Sequence, residues 1–307
     1  MDLSTSVAGL TLRPPVMLGS GPLGAKAQHL LAYSRVAGAV VTKSISAEES
    51  DGNPHPRIIR IDHDGMINSE GGANPGIREF KETLLRIKPD LECPVIGSLS
   101  PRTMRFEKGI ERVATGFEEA GCEAIELDFK YLHDEEGLRT DFTTHQIVDV
   151  LGRLKKVVTI PLIAKFAYGA TDIGVFAKAA EGAGASAVAA INSVFPAMKI
   201  DLQKRAPALS MKYGGLSGAP IRSLAVASVY RTAQAVRIPV IGIGGIMTGE
   251  DVIEFLLAGA KAVQVYTVVM TEGVKGFSRI VEELKSAMVK YGFHSVGEIV
   301  GAAQEKE

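Results

Sequence analysis

The chain has 307 residues, 46% hydrophobic and 22% charged, a balance that suits a globular fold and excludes an intrinsically disordered chain. Lys and Arg number 34 against 35 Asp and Glu, a net charge of -1, which excludes the cationic excess of a general nucleic-acid or anionic-membrane binder. Two cysteines exclude a disulfide framework, no apolar run reaches ~18 residues, and Met1-Asp2-Leu3-Ser4-Thr5 lacks the order of a signal peptide, so a reduced, cytoplasmic protein is expected.

Short runs rich in Val, Ile, Leu and Ala predict a first strand at 15–18 and a second at 38–42. The long segment 44–92 follows. It contains an apparent hairpin, 57–61 then 65–68, and a helix over 76–88. Strand 94–97 leads to a helix over 110–120, with Ile110, Val113, Ala114 and Phe117 on one face. Strand 124–127 precedes a helix over 147–155, and strand 161–165 a helix over 173–183. Strand 187–191 is followed by a second long segment, 196–221, with Tyr213-Gly214-Gly215-Leu216-Ser217-Gly218, and then a helix over 224–235. Strand 239–243 precedes a helix over 251–258, and strand 262–265 a helix over 276–291. Continuous apolar runs without alternation suit parallel strands buried on both faces. Ala120-Gly121, Ala183-Gly184 and Ala258-Gly259 close helices with the residue that adopts a left-handed cap most cheaply. Eight strands alternating with helices predict a (β/α)8 TIM barrel, one domain over 1–307, with long insertions after strands two and six. A doubly wound open sheet is the alternative.

In such a barrel the reacting groups sit where strands end. The ends read Gly19-Ser20-Gly21, Thr42-Lys43-Ser44, Ser98, Asp128-Phe129-Lys130-Tyr131, Lys165, Asn192-Ser193, Gly242-Ile243-Gly244-Gly245 and Tyr266-Thr267. Lys43 and Lys165 terminate apolar strands, where an ammonium requires an anionic partner. Either they pair with Glu126 or Asp128, or they serve a ligand. Gly244 and Gly245 precede Thr248 and Asp251, which have the spacing of a capping box. Glycine lets backbone N–H groups approach a phosphate, and loops after strands seven and eight are the usual phosphate cradle of barrels. Glu126, Asp128, His133 and Asp134 match no standard zinc spacing, so no metal is expected. Cys93 and Cys122 lie near strand starts, away from the reacting end.

Several of these motifs, together with Gly52-Asn53-Pro54-His55-Pro56-Arg57, Gly65-Met66-Ile67-Asn68, Asn74-Pro75-Gly76 and Gly214-Gly215-Leu216-Ser217-Gly218, resemble dihydroorotate dehydrogenases of the soluble class. They also resemble the pyrimidine-reducing domain of dihydropyrimidine dehydrogenase. The likeness runs in order over nearly the whole chain. It implies an FMN-containing barrel, an oxidoreductase of pyrimidine metabolism acting on CH–CH groups. Hydride would pass between flavin N5 and a small planar pyrimidine-like or conjugated carbonyl substrate, with a proton exchanged on the opposite substrate face. By resemblance, Ser20, Gly21, Lys43 and Ser44 line the flavin, and Lys165 lies at its N1/O2 edge. Gly218, Gly244, Gly245 and Thr267 hold the phosphate. Asn68, Asn192 and Ser193 hydrogen-bond the substrate, with Asn192 also reaching the cofactor.

The chain departs from the family after the fourth strand. The family reads Glu-Leu-Asn-x-Ser-Cys-Pro-Asn, and this chain reads Glu126-Leu127-Asp128-Phe129-Lys130-Tyr131-Leu132-His133. Tyr131 stands where the family has its cysteine base (serine in the membrane-associated class). Asp128 and His133 replace two asparagines that grip the pyrimidine, and Tyr266 stands where a smaller residue is common. A phenol of reference pKa ~10 is a poor base and a competent acid, whereas an imidazole exchanges protons near neutrality. An ionised Asp only accepts hydrogen bonds. Tyr131, His133 and Lys43 are therefore the expected catalytic residues, Asp128 an expected substrate contact, and dihydroorotate an expected poor substrate. The alternatives are an authentic dihydroorotate dehydrogenase with an unusual base, a non-catalytic flavin-binding subunit, and a flavin-free lyase with Lys165 as Schiff-base amine. With no cysteine set for an iron–sulfur cluster, a cluster would belong to a separate electron-transfer subunit. The resemblance also implies a homodimer. The partners expected are thus a small molecule and such subunits, with neither nucleic acid nor membrane.

Overall fold

The eight apolar runs become β1 (Val16–Leu18), β2 (Val40–Ile45), β3 (Val95–Leu99), β4 (Ala124–Phe129), β5 (Leu162–Ala167), β6 (Ala187–Asn192), β7 (Val240–Ile243) and β8 (Ala260–Val265). They close into a parallel barrel in sequence order, with β8 returning to β1 through Val263 opposite Val16. The computed structural model describes residues 1–105, 109–130, 132–133, 139–169 and 172–304. Several strands outrun their apolar stretches. β2 continues through Lys43 and Ser44, and β4 through Asp128 and Phe129, because ladder pairing carries the backbone on after the side chains turn polar.

Alternate residues of each strand face inward. Met17, Val41, Ile96, Ala124, Ile163, Ala189, Ile241 and Ala262 pack in the barrel interior, and the hairpin Thr5–Val7 with Leu10–Leu12 packs its Val7 and Leu12 onto this layer. Two residues further along, the same inward positions become Lys43, Glu126, Lys165 and Gln264. The interior is therefore an apolar plug beneath a polar mouth.

The helices of eight residues or more are α1 (Ala27–Ser34), α2 (Gly76–Ile87), α3 (Ile110–Glu119), α4 (Thr144–Leu154), α5 (Ile173–Gly182), α6 (Arg222–Ala235), α7 (Gly249–Leu257) and α8 (Thr267–Lys290). Their apolar faces bury Phe80, Phe117, Phe255 and Phe277 against the strands, each worth roughly 1.5–3 kcal/mol of burial. The expected capping box starts α7. Asp251 N donates to Thr248 Oγ1 at 3.2 Å, and Thr248 N donates to Asp251 Oδ2 at 2.9 Å. A second box, Thr143 with Gln146, starts α4. α8 begins earlier than its periodicity suggests. Gly273 leaves the helical region at φ 66° and splits off a first segment at Thr267.

The insertions after β2 and β6 are not independent. Strands Ile58–Ile61 and Gly65–Asn68 form the expected hairpin. Gly214–Gly218 then pairs with Gly65–Asn68, and Val194–Ala197 with Gly214–Gly218, in one antiparallel four-stranded sheet. No helix among the described residues is long and apolar enough to cross a membrane.

Candidate active site

The C-terminal ends of the strands open into a cavity of about 430 Å³, within the range of small-molecule sites. All the cofactor- and substrate-facing residues singled out from the sequence that fall among the described residues line it.

Its floor is a buried polar cluster. Lys165 Nζ lies 3.0 Å from Glu126 Oε1 and 3.5 Å from Gln264 Oε1, and Gln264 Nε2 donates to Glu126 Oε2 at 2.6 Å. Both carboxylate oxygens of Glu126 thus have partners, which burial of a charge requires. Lys165 is at once the partner of Glu126 and a wall of the cavity.

At one end β7 runs into Gly244 and Gly245, with φ of 126° and 77°, conformations that favour glycine. A Cβ at Gly245 would lie 2.8 Å from Gly218 O and 2.9 Å from Arg222 Cα. The close approach of three segments, rather than open space, therefore fixes this glycine. Thr267 opens α8 beside it, with its Oγ1 3.2 Å from Ser217 Oγ. Tyr266, out of place by resemblance, is accommodated by Gly21: a Cβ there would fall 2.1 Å from the phenol ring carbon Cζ. The Tyr266 hydroxyl accepts from Leu23 N at 2.9 Å, and burial pushes this phenol up, far from ionising.

Along the next wall Ser20 Oγ is 3.2 Å from Ser44 Oγ, which is 3.0 Å from Ser98 Oγ. Opposite, Asn192 Nδ2 donates to Asp128 Oδ1 at 2.7 Å, while its Oδ1 accepts from Ser193 N at 2.7 Å. Asn68 Nδ2 donates to Gly215 O at 3.2 Å, across the strand pairing that joins the two insertions. Lys43 is buried, and desolvation pulls its ammonium below the usual lysine range. Glu70 and Asp128 oppose that shift, and Lys130 adds to it.

Lys43 pairs with Glu70 at 3.5 Å, a partner outside the Glu126 and Asp128 that the first of the two sequence alternatives named. Glu70 also lies 3.2 Å from Arg57 Nε. Its position in Ser69-Glu70-Gly71-Gly72 reads as a solvated turn, so sequence reasoning passed over it. Asn74 is a staple rather than a cavity residue: its Oδ1 accepts from Ser46 N and Gly76 N, and its Nδ2 donates to Ser46 Oγ and Gly72 O. Tyr131 lies outside the described residues. His133 is described only as backbone, in the short strand Leu132–His133 paired with Arg139–Thr140.

A floor presenting the ion-paired Lys165, a glycine-framed end with a helix start beside it, and a wall of neutral donors and acceptors suit a planar ligand bearing a phosphate.

A family model described as dihydroorotate dehydrogenase matches residues 2–288. Similar proteins include one of Thermoplasma acidophilum, described as dihydroorotate dehydrogenase B (NAD(+)), catalytic subunit, at 39% identity over 304 residues, 98% of this chain and 99% of the relative. One of Methanothermobacter thermautotrophicus with the same description is 37% identical over 306 residues, 99% of each chain. Another, of Pyrococcus furiosus, is 37% identical over 311 residues, 99% of this chain and 100% of the relative.

Proposed function

The chain belongs to the dihydroorotate dehydrogenase family, FMN-dependent oxidoreductases acting on CH–CH bonds, and from that membership we propose how its own residues divide the work. Gly218, Gly244, Gly245 and Thr267 hold the FMN phosphate. Ser20, Gly21, Lys43, Ser44 and Lys165 line the ring system, and Asn192 touches both cofactor and substrate. FMN, when bound, supplies the two-electron exchange with the substrate. Lys165 keeps a buried positive charge in place before the reaction begins, so no solvent reorganisation is needed as negative charge develops nearby. Asn68, Asp128, Asn192 and Ser193 orient a small planar pyrimidine-like or conjugated carbonyl substrate, while Tyr131, His133 and Lys43 hold or move its proton.

The observation that carries this reading is the convergence of all these described residues on one cavity above the Glu126–Lys165–Gln264 floor. It is tested by the absorption spectrum and released cofactor of the purified protein. The expected result is a yellow protein that releases FMN on denaturation. A colourless protein that takes up no FMN on reconstitution would overturn the reading.

Dihydroorotate itself is the second reading, favoured by the descriptions of the relatives. Stopped-flow flavin reduction by dihydroorotate decides between them: rapid reduction, near ~10 per second, establishes it, and slow reduction that improves in the double variant Tyr131→Cys with Asp128→Asn points to a retuned site. The relatives' descriptions as NAD(+) enzymes and catalytic subunits support a separate subunit passing electrons to NAD+. The protein alone is then reduced by its substrate without reducing NAD+, and steady turnover with NAD+ by the pure chain would refute that. We further place the protein in the cytoplasm as a homodimer, the latter checked by sedimentation equilibrium.

A further inference from the structure

We infer that Glu70 is a specificity-determining residue: by neutralising Lys43 it fits the site to an uncharged cyclic amide and against the same ring carrying a carboxylate. This inference rests on the reading just given and deepens it.

The first ground is placement. Glu70 lines the cavity, and its side chain is only 13% exposed. Its loop is held by backbone and amide contacts: Asn53 N donates to Glu70 O at 3.1 Å, Asn53 Nδ2 to Ser69 O at 3.0 Å, and Asn74 Nδ2 to Gly72 O at 2.8 Å. These bonds fix the loop, and the carboxylate itself is held by Lys43 and Arg57.

The second ground is the balance of charge. Within the inner cavity wall and directly behind it, Lys43, Lys165 and Arg57 carry positive charge. Glu70, Glu126 and Asp128 carry negative charge. Lys165 is committed to Glu126, while Lys43 and Arg57 share Glu70. Among the described residues, Asp128 accepts a hydrogen bond from the neutral amide of Asn192. Lys130, half-buried, and Arg102, exposed, also line the cavity. A neutral ring enters this set without disturbing it. A ring carboxylate adds a buried negative charge beside Asp128, where the two buried lysines are already committed to Glu126 and Glu70, and such like-charge burial is disfavoured. Asp128 as an acceptor with a spare oxygen instead favours a ring N–H.

Uracil and orotate differ by one carboxylate and are the probes. Each is titrated into the flavin-loaded protein while the flavin absorption band is followed. Wild type is expected to bind uracil about tenfold more tightly than orotate. Glu70→Gln, which frees Lys43, should tighten orotate about tenfold while uracil changes less than about twofold. Glu70→Asp, which keeps the charge, should retain the wild-type preference. Asp128→Asn removes another buried negative charge and should shift the preference towards orotate, which keeps the inference testable if Glu70→Gln does not hold flavin. Tighter orotate binding to wild type, equal effects of Glu70→Gln on both rings, or binding of neither ring would overturn the inference. A wild-type protein without flavin would instead overturn the reading beneath it.

Discussion

Lys165 sits at the bottom of the mouth with Glu126 and Gln264 as its polar partners. Lys165→Met removes the cation and leaves Glu126 as an unpaired buried carboxylate, so stability should fall by about 3–5 kcal/mol. The flavin midpoint potential should fall by at least about 30 mV, the equivalent of tenfold in a two-electron equilibrium. Adding Glu126→Gln should restore much of both, as denaturant titration and potentiometry would read. An unchanged potential in fully loaded Lys165→Met would place this charge outside the cofactor's field. A second prediction concerns Cys93, whose thiol is pushed up to about 12, chiefly by burial and then by nearby Glu123. Its protonated form is favoured in the folded protein, so the associated stability is full below pH ~9 and is lost as pH rises toward ~12. At pH 8 its alkylation should be about a thousandfold slower in native than in unfolded protein, measured by thiol-reagent kinetics. At this scale the sequence revealed the lysines readily, because a cation at the end of an apolar run is conspicuous. Glu126 and Gln264 carried a similar signal, each two residues beyond an inward alanine. Glu70 did not, because a carboxylate between serine and two glycines has the composition of any exposed turn. Its importance arises only when residues 43 and 57 converge on it.

The start of α7 does two jobs. Thr248→Ala removes one side of the capping box and should cost about 1 kcal/mol. Asp251 accepts from Met247 N and Thr248 N and also holds Arg222 at 2.6 Å, at the start of α6. Asp251→Ala should therefore cost roughly 2 kcal/mol and also weaken FMN retention, since Arg222 packs against the Gly245 turn. Chemical denaturation and cofactor titration of the two variants separate these effects. Gly245→Val should lose FMN more completely with circular dichroism unchanged, because its φ is positive and its Cβ has no room. If Gly245→Val retains FMN at wild-type affinity, this turn is not the phosphate cradle. The α7 cap was legible because a capping box is a local pattern of four residues. The first segment of α8 was not, because Gly273 interrupts the period on which helix recognition depends.

Across the whole molecule, the barrel was written in its eight apolar runs, but the sheet uniting the two insertions was not. Its joining strand, Gly214-Gly215-Leu216-Ser217-Gly218, has neither alternation nor β-branched side chains, and its partner in the other insertion, Gly65–Asn68, lies about 150 residues away in sequence. A Cβ at Gly214 would meet Asn68 O at 2.7 Å and Ile67 Cγ2 at 2.8 Å. Gly214→Val should thus loosen both insertions together. Limited proteolysis is expected to cut within 44–92 as well as 196–221, while the barrel still unfolds cooperatively. Cleavage confined to 196–221 would show that the insertions move separately. The same sheet bears on inheritance. A two-stranded hairpin is marginal alone, so the hairpin after β2 depends on the strand supplied after β6, and a lineage losing one would be left with an unsupported remnant of the other. Yet the joint is made chiefly by main-chain groups, so changes outside its crowded glycines and Asn68 leave the pairing in place. Descendants are thereby free to exchange residues over the mouth, and with them the molecules they accept, while the architecture that covers it is passed on intact.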